Sequence, residues 1–206
     1  MNNIVADINK TLEDISLNKV KVSEELIEEV GEEIKQAIRD WSNPKPQQGF
    51  TLRASNIGKP LRKLWFEKRK QNIDEPLSAS LNLKFLYGHI LESLVIFLVK
   101  LSGNKVHIDC KINDTVVDIK SASKFSFNKF SKGLLAEEDP FGYIPQLTAY
   151  EHAEKSKSSY FLVVDKESGE LCTYEPDNLE KPDITKLISY VMDCLESDIT
   201  PDKCFS

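Results

Sequence analysis

An Asp-x-Lys step, Asp118-Ile119-Lys120, closes an alternating stretch rich in β-branched residues, KVHIDCKINDTVVDIKSA, that also holds Asp109. The alternation predicts two strands, 105–112 and 115–120, joined by a tight turn at Asn113-Asp114. In that register Ile112 pairs with Thr115, Cys110 with Val117, and Asp109 lies directly opposite Asp118. His107, Asp109 and Lys111 then share one face with Val116, Asp118 and Lys120, which leaves Ile108, Cys110, Ile112, Val117 and Ile119 for the core. Two carboxylates across an antiparallel pair repel each other. Solvation, a proton on one of them, or a cation between them relieves the repulsion. A hard divalent cation is a natural third solution, because Mg²⁺ is commonly held by one or two carboxylates together with phosphate oxygens of a substrate. Lys120 projects from the same face, where an ammonium can orient or help deprotonate an attacking water and stabilise charge on phosphorus. On these residues alone the plainer alternative, a charged hairpin face standing in water, stays open.

Further motifs follow one another along the chain: Gly88 with Glu92 in GHILE, Asp109 in HIDC, Asp118-Ile119-Lys120 in VVDIKS, and Gln146 with Tyr150 in QLTAY. Their succession resembles the RecB-type, lambda-exonuclease-like branch of the PD-(D/E)XK nuclease superfamily. That branch includes CRISPR-associated single-strand exonucleases and phage and viral recombination nucleases. The upstream RASNIGKPLRKLWF resembles the N-terminal box of phage-type exonucleases, so the likeness spans roughly residues 53–150. It implies a restriction-endonuclease-like core and a metal held by Glu92, Asp109, Asp118 and the backbone carbonyl of Ile119, with Lys120 as the catalytic lysine. The metal would be Mg²⁺, with Mn²⁺ able to substitute. Gln146 and Tyr150, four apart on one helix face, would reach the site or the DNA. Arg62, Ser55 and Arg53 would bind phosphate, including a terminal 5′ phosphate, for which a bidentate guanidinium is suited; a solvated basic helix is the alternative. His89 and His107 are expected to be structural or, at most, supporting. The cysteine cluster of the CRISPR-associated branch is missing, so no iron–sulfur cluster is expected. The implied activity is metal-dependent hydrolysis of DNA from ends or single strands, in recombination, repair or replication. A structure- or single-strand-selective endonuclease is the alternative chemistry, and a non-catalytic DNA-binding or adaptor protein is the alternative class.

The elements that would position these residues are read from periodicity. SEELIEEVGEEIKQAIRDW carries Leu26, Ile27, Val30, Ile34, Ala37, Ile38 and Trp41 at helical spacing, with Ser23 as N-cap. A basic helix is predicted from Pro60 or Leu61, a longer one over 79–101 before Gly103, another over 140–155, and a closing helix over 183–197. SYFLVVDK and ELCTYEP predict two further strands around Glu167 to Gly169, while residues 1–22 read as a loose arm or a short helix. The order predicts an α/β (α+β) fold, a small mixed sheet flanked by helices. One domain is expected over 1–206, with 1–45 as an N-terminal helical extension.

Composition bounds the function. With 40% hydrophobic and 29% charged residues the chain is of globular type, and its apolar run Leu94–Val99 is too short to span a bilayer. No membrane association is expected, and a cytoplasmic location is the default. The four cysteines, Cys110, Cys172, Cys194 and Cys204, stand far apart, as reduced thiols do. A net charge of −6 argues against a general nucleic-acid coat, yet the charge is uneven. Residues 51–70 hold Arg53, Lys59, Arg62, Lys63, Lys68, Arg69 and Lys70 against only Glu67, and 119–135 hold four lysines and no acid. Such patches can meet DNA, single-stranded or with ends, at one face. The six glutamates of 24–33 offer a surface for a recombination or replication partner, and ring-forming relatives make a homo-oligomer conceivable.

Overall fold

The computed structural model describes residues 3–44, 49–69, 77–107 and 111–203. Its helices are α1 (Ile4–Ser16), α2 (Glu24–Ser42), α3 (Leu61–Arg69), α4 (Ala79–Leu101), α5 (Lys124–Ser131), α6 (Tyr143–Ala153) and α7 (Ile184–Glu196), with a 3₁₀ turn at Leu135–Glu137. Its strands are β1 (Val106–His107), β2 (Lys111–Ile112), β3 (Thr115–Ala122), β4 (Ser159–Asp165) and β5 (Leu171–Tyr174). They form one mixed sheet in the order β1-β2-β3-β4-β5, in which only β3 and β4 run parallel. The fold is therefore the expected α+β class, a small mixed sheet flanked by helices.

The turn at Asn113-Asp114 forms as predicted, with Ile112 opposite Thr115 and Lys111 opposite Val116. Both turn residues adopt positive φ, 49° and 67°, which a two-residue hairpin turn of this hand requires and Asn and Asp tolerate. Asn113 also uses its side chain, accepting from Lys105 N at 3.0 Å and donating to Asn104 Oδ1 at 2.6 Å. The strand expected over 105–112 is not continuous. Val106 pairs with Ile112 and His107 with Lys111, so the chain reverses between β1 and β2. That reversal removes the straight strand on which the Asp109–Asp118 pairing rested, and Asp109 itself lies outside the described residues.

The hairpin face expected to be open is covered. β3 is an interior strand whose two faces both meet helices, as the parallel β3–β4 pair favours. On one side Val116, Ala122, Phe161 and Val163 pack with Phe127, Phe130, Ile144 and Leu147 from α5 and α6. On the other, Val117, Leu162 and Val164 pack with Val95 and Val99 of α4 and with Ile4 and Ile8 of α1. Each buried Val, Leu, Ile or Phe side chain contributes about 1.5–3 kcal/mol. Of the two readings of the N-terminus, the short helix is the one formed: Ile4 and Ile8 are 3% and 1% exposed.

α2 begins at Ser23, whose hydroxyl accepts from Leu26 N, as its sequence predicts. It lies along α4, tied by Lys100 to Glu29 and Glu33 and by Trp41 Nε1 donating to Asn82 O at 3.1 Å. By length and composition α4 could cross a membrane, with a mean hydropathy of 1.4 over 18 residues, more than its inner run Leu94–Val99 alone indicates. In this fold its Val95 and Val99 belong to the core. α3 packs on α7 through Leu64, Val191 and Leu195.

Candidate functional site

β3 and α6 build the site. A strand places every second side chain on one face, so Asp118 and Lys120 both point toward α6. A helix aligns residues four apart, so Gln146 and Tyr150 both face back. The result is a continuous polar run. Lys120 Nζ lies 2.9 Å from Asp118 Oδ2 and donates to Gln146 Oε1 at 3.2 Å. Gln146 Nε2 in turn donates to the Tyr150 hydroxyl at 3.1 Å. The Lys120 ammonium also sits 4.7 Å from the centroid of the Tyr143 ring.

The run is largely sealed. Asp118 is 8% exposed, and the Lys120 side chain 18%. Although Lys120 is within ion-pair distance, the contact is off-line, and Asp118 Oδ2 receives no well-directed hydrogen bond. Burial pushes the Asp118 carboxyl above its ordinary value, and Lys120 pulls in the opposite direction. Glu92, half-buried on α4, is raised as well, first by burial and then by the Asp118 charge, against the influence of His89 and Lys120. Both carboxyls are thus held above their ordinary values by burial, and the Asp118 charge further disfavours ionisation of Glu92. Such an arrangement is relieved by a proton or by a cation.

Of the residues singled out by sequence, Asp118, Lys120, Gln146 and Tyr150 come together, and Glu92 lies within their electrostatic reach. Ile119 turns to the opposite face, against the α4 side of the core. Among the described residues no group of three or more His, Cys, Asp or Glu side chains forms a metal cradle, and Asp109, the remaining expected ligand, is not among them. Gly88 sits where α4 faces β3, but a methyl there would stand 3.9 Å from Ser121 Oγ, an ordinary contact. His89 is exposed, and His107 lies 3.7 Å from exposed Asp114. Cys172 and Cys194 are free thiols, and burial raises Cys172 to about 11.

The basic segment 51–70 is more occupied than its composition implies. Arg62 donates to Pro201 O at 2.8 Å and lies over Phe66. Arg69 donates to Leu195 O and Ser197 O, Lys68 pairs with Glu196, and Lys59 with Glu67. Arg53 and Ser55 are exposed on the loop that precedes α3. That loop is fastened to the site by a feature the sequence reading did not single out. A Cβ on Gly58 would stand 2.4 Å from Gly142 Cα, so the two backbones touch where α6 begins. Gly142 adopts φ +70°, suited to glycine. Asp139 fixes the same corner, its two carboxylate oxygens accepting from Tyr143 N at 2.9 Å and Ile144 N at 2.8 Å. Asp139-Pro140 and the following glycine were the available signals for this corner. Tyr143, under Lys120, was also missed, although it stands three residues before Gln146 on the same helix face.

Comparison with protein-family models, with curated proteins and with solved structures returns no match to this chain.

Proposed function

We propose that this chain is a Mg²⁺-dependent deoxyribonuclease with a restriction-endonuclease-like core, hydrolysing phosphodiester bonds from DNA ends or single strands inside the cell, in recombination, repair or replication. The observation that carries this reading is the run Asp118–Lys120–Gln146–Tyr150, in which two motifs from separate elements meet in one sealed polar chain. A charged hairpin face in water would need neither the burial of Asp118 nor the lysine held against it.

Asp118 and Glu92 suit a hard divalent cation in donor type, and a cation would relieve the burial that raises both carboxyls and the Asp118 charge that adds to it at Glu92. The resemblance adds Asp109 and the Ile119 carbonyl to that set. When bound, Mg²⁺ or Mn²⁺ supplies a more acidic water and neutralises phosphate charge. The protein's own part is positioning and charge. Gln146 and Asp118 hold the Lys120 ammonium in place, and Tyr150 orients Gln146. So held, Lys120 faces a phosphate oxygen and stabilises the negative charge that builds as water oxygen bonds to phosphorus and the bond to the leaving sugar oxygen breaks. Arg53 and Ser55, exposed on the loop fastened at Gly58–Gly142, guide the backbone with little base readout, so binding weakens with salt.

The test incubates the protein with end-labelled linear DNA, single- and double-stranded, and with circular single strands, each with Mg²⁺, Mn²⁺ or chelator. Metal-dependent loss of linear but not circular substrate is expected. Cleavage of circles would replace the exonuclease with an endonuclease, and no cleavage under any metal would leave a DNA-binding or adaptor role.

A further inference from the structure

Lys120 faces one end of a short aromatic stack that runs outward to the surface. Tyr143 lies beneath the ammonium, with 4.7 Å from its ring centroid to Nζ. Phe141 stacks on Tyr143, with ring centroids 5.3 Å apart and planes 28° from parallel. Tyr143 is half-buried and backed by Phe130 and Phe161, whereas Phe141 is 62% exposed. A singly exposed phenylalanine is unremarkable. Phe125, 72% exposed, has Lys129 5.0 Å from its ring centroid but stacks on no described ring and takes no part in the contacts around Lys120. Phe141 differs because it is the outer member of a stack whose inner member touches the site's lysine.

The stack is also held rigid. Asp139 caps the first turn of α6 at Tyr143 and Ile144, and Gly142, between the two rings, is locked against Gly58. We infer that Phe141 and Tyr143 form a stacking platform for one unpaired nucleobase, a nucleotide or two along the strand from the phosphate that Lys120 faces. The inference rests on the nuclease reading above and adds the substrate class, a single strand or a frayed end. A flat exposed ring at the outer end of a stack whose inner ring meets a cation suits a single strand, which offers a succession of π-faces and phosphates along its length. A base in a closed duplex has both faces stacked already and cannot use the platform. The outer face of Phe141 therefore sorts unpaired from paired DNA without reading sequence, since every base has a π-face.

The experiment measures binding in chelator, so that cleavage plays no part. Single-stranded oligonucleotides carrying 2-aminopurine near the 5′ end, near the 3′ end or internally are titrated with wild type, Phe141→Ala and Phe141→Trp, beside a blunt duplex of the same sequence. Stacking predicts quenching of 2-aminopurine by wild type and by Phe141→Trp. Phe141→Ala is expected to lose the quenching and to bind single strands about 10-fold more weakly, with duplex binding unchanged. Because Phe141 is exposed, the alanine variant keeps its fold, which circular dichroism checks. Equal affinity and equal quenching for wild type and Phe141→Ala would overturn the platform and leave the nuclease reading in place. No binding of any DNA by wild type would overturn both.

Discussion

Replacing Lys120 with methionine keeps most of the side-chain volume and removes, among the described residues, the one cation within ion-pair distance of Asp118. The buried carboxylate must then stay charged without a partner or take up a proton. The second course sets a ceiling. With an ordinary value of 3.8, keeping Asp118 protonated costs about 4 kcal/mol at pH 7 and about 1.6 kcal/mol at pH 5. Wild type already bears part of that cost, because burial raises Asp118 even with Lys120 present. Lys120→Met is therefore expected to lose about 2–4 kcal/mol at pH 7, in keeping with the removal of one partner from a buried pair. For a chain of this size that lowers Tm by roughly 4–16 °C. A carboxyl whose folded pKa is raised gives an unfavourable contribution above that pKa, and the contribution fades as pH falls toward the ordinary value of 3.8. The defect should accordingly shrink below about 1.6 kcal/mol at pH 5. Asp118→Asn removes the charge instead; burial already disfavours the ionised carboxyl and Lys120 keeps Gln146 as an acceptor, so the stability lost at pH 7 is expected to be smaller than for Lys120→Met. Urea unfolding in chelator, followed by circular dichroism at both pH values, measures each variant. A Lys120→Met protein within about 0.5 kcal/mol of wild type at pH 7 would refute the claim that Asp118 is sealed and dependent on its lysine.

Other expectations test the supports of the site. Gly58→Ala puts a methyl 2.4 Å from the Gly142 backbone and should cost about 1–3 kcal/mol or more by thermal denaturation, whereas Gly31→Ala, with open space at its Cβ inside α2, should gain about 0.5–1 kcal/mol. Asp139→Ala removes the acceptor for two amides at the start of α6, with an expected loss of about 0.5–2 kcal/mol. Ile8→Ala should cost about 2–5 kcal/mol in chemical unfolding if α1 belongs to the core, and almost nothing if the helix merely rests on the surface.

Much of the framework was legible because its periods are clean. α2, α4, α7, β4 and β5 follow their apolar spacing closely, and Asn113-Asp114 marks its turn because those side chains tolerate positive φ. The split of the first strand was not legible. HIDCKI alternates without interruption, and no glycine, proline or asparagine stands between His107 and Lys111 to announce the reversal. Nor was α5, whose KFSFNKFS carries no strong helical stripe. Alternation along β3 located Asp118 and Lys120 on one face correctly, but it could not tell that α6 covers that face. Burial is a property of the third element, not of the strand. The basic segment misled for a similar reason: Arg62 and Arg69 are engaged by carbonyls of Pro201, Leu195 and Ser197, partners far along the chain that local composition does not reveal. Spacing paired Asp118 with Lys120 and Gln146 with Tyr150. Only the packing of α6 on β3 joined the pairs.

Asp118→Asn offers the most direct test of the central claim, because it removes the charge at nearly constant shape, and circular dichroism at the assay temperature separates a loss of activity from unfolding. Cleavage of end-labelled single-stranded DNA is timed in Mg²⁺ for both proteins under single-turnover conditions. The site described above predicts metal-dependent cleavage by wild type and a rate at least about 100-fold lower for the variant. Cleavage by Asp118→Asn at the wild-type rate would place the chemistry elsewhere, and a well-folded wild type that cleaves nothing would contradict the nuclease.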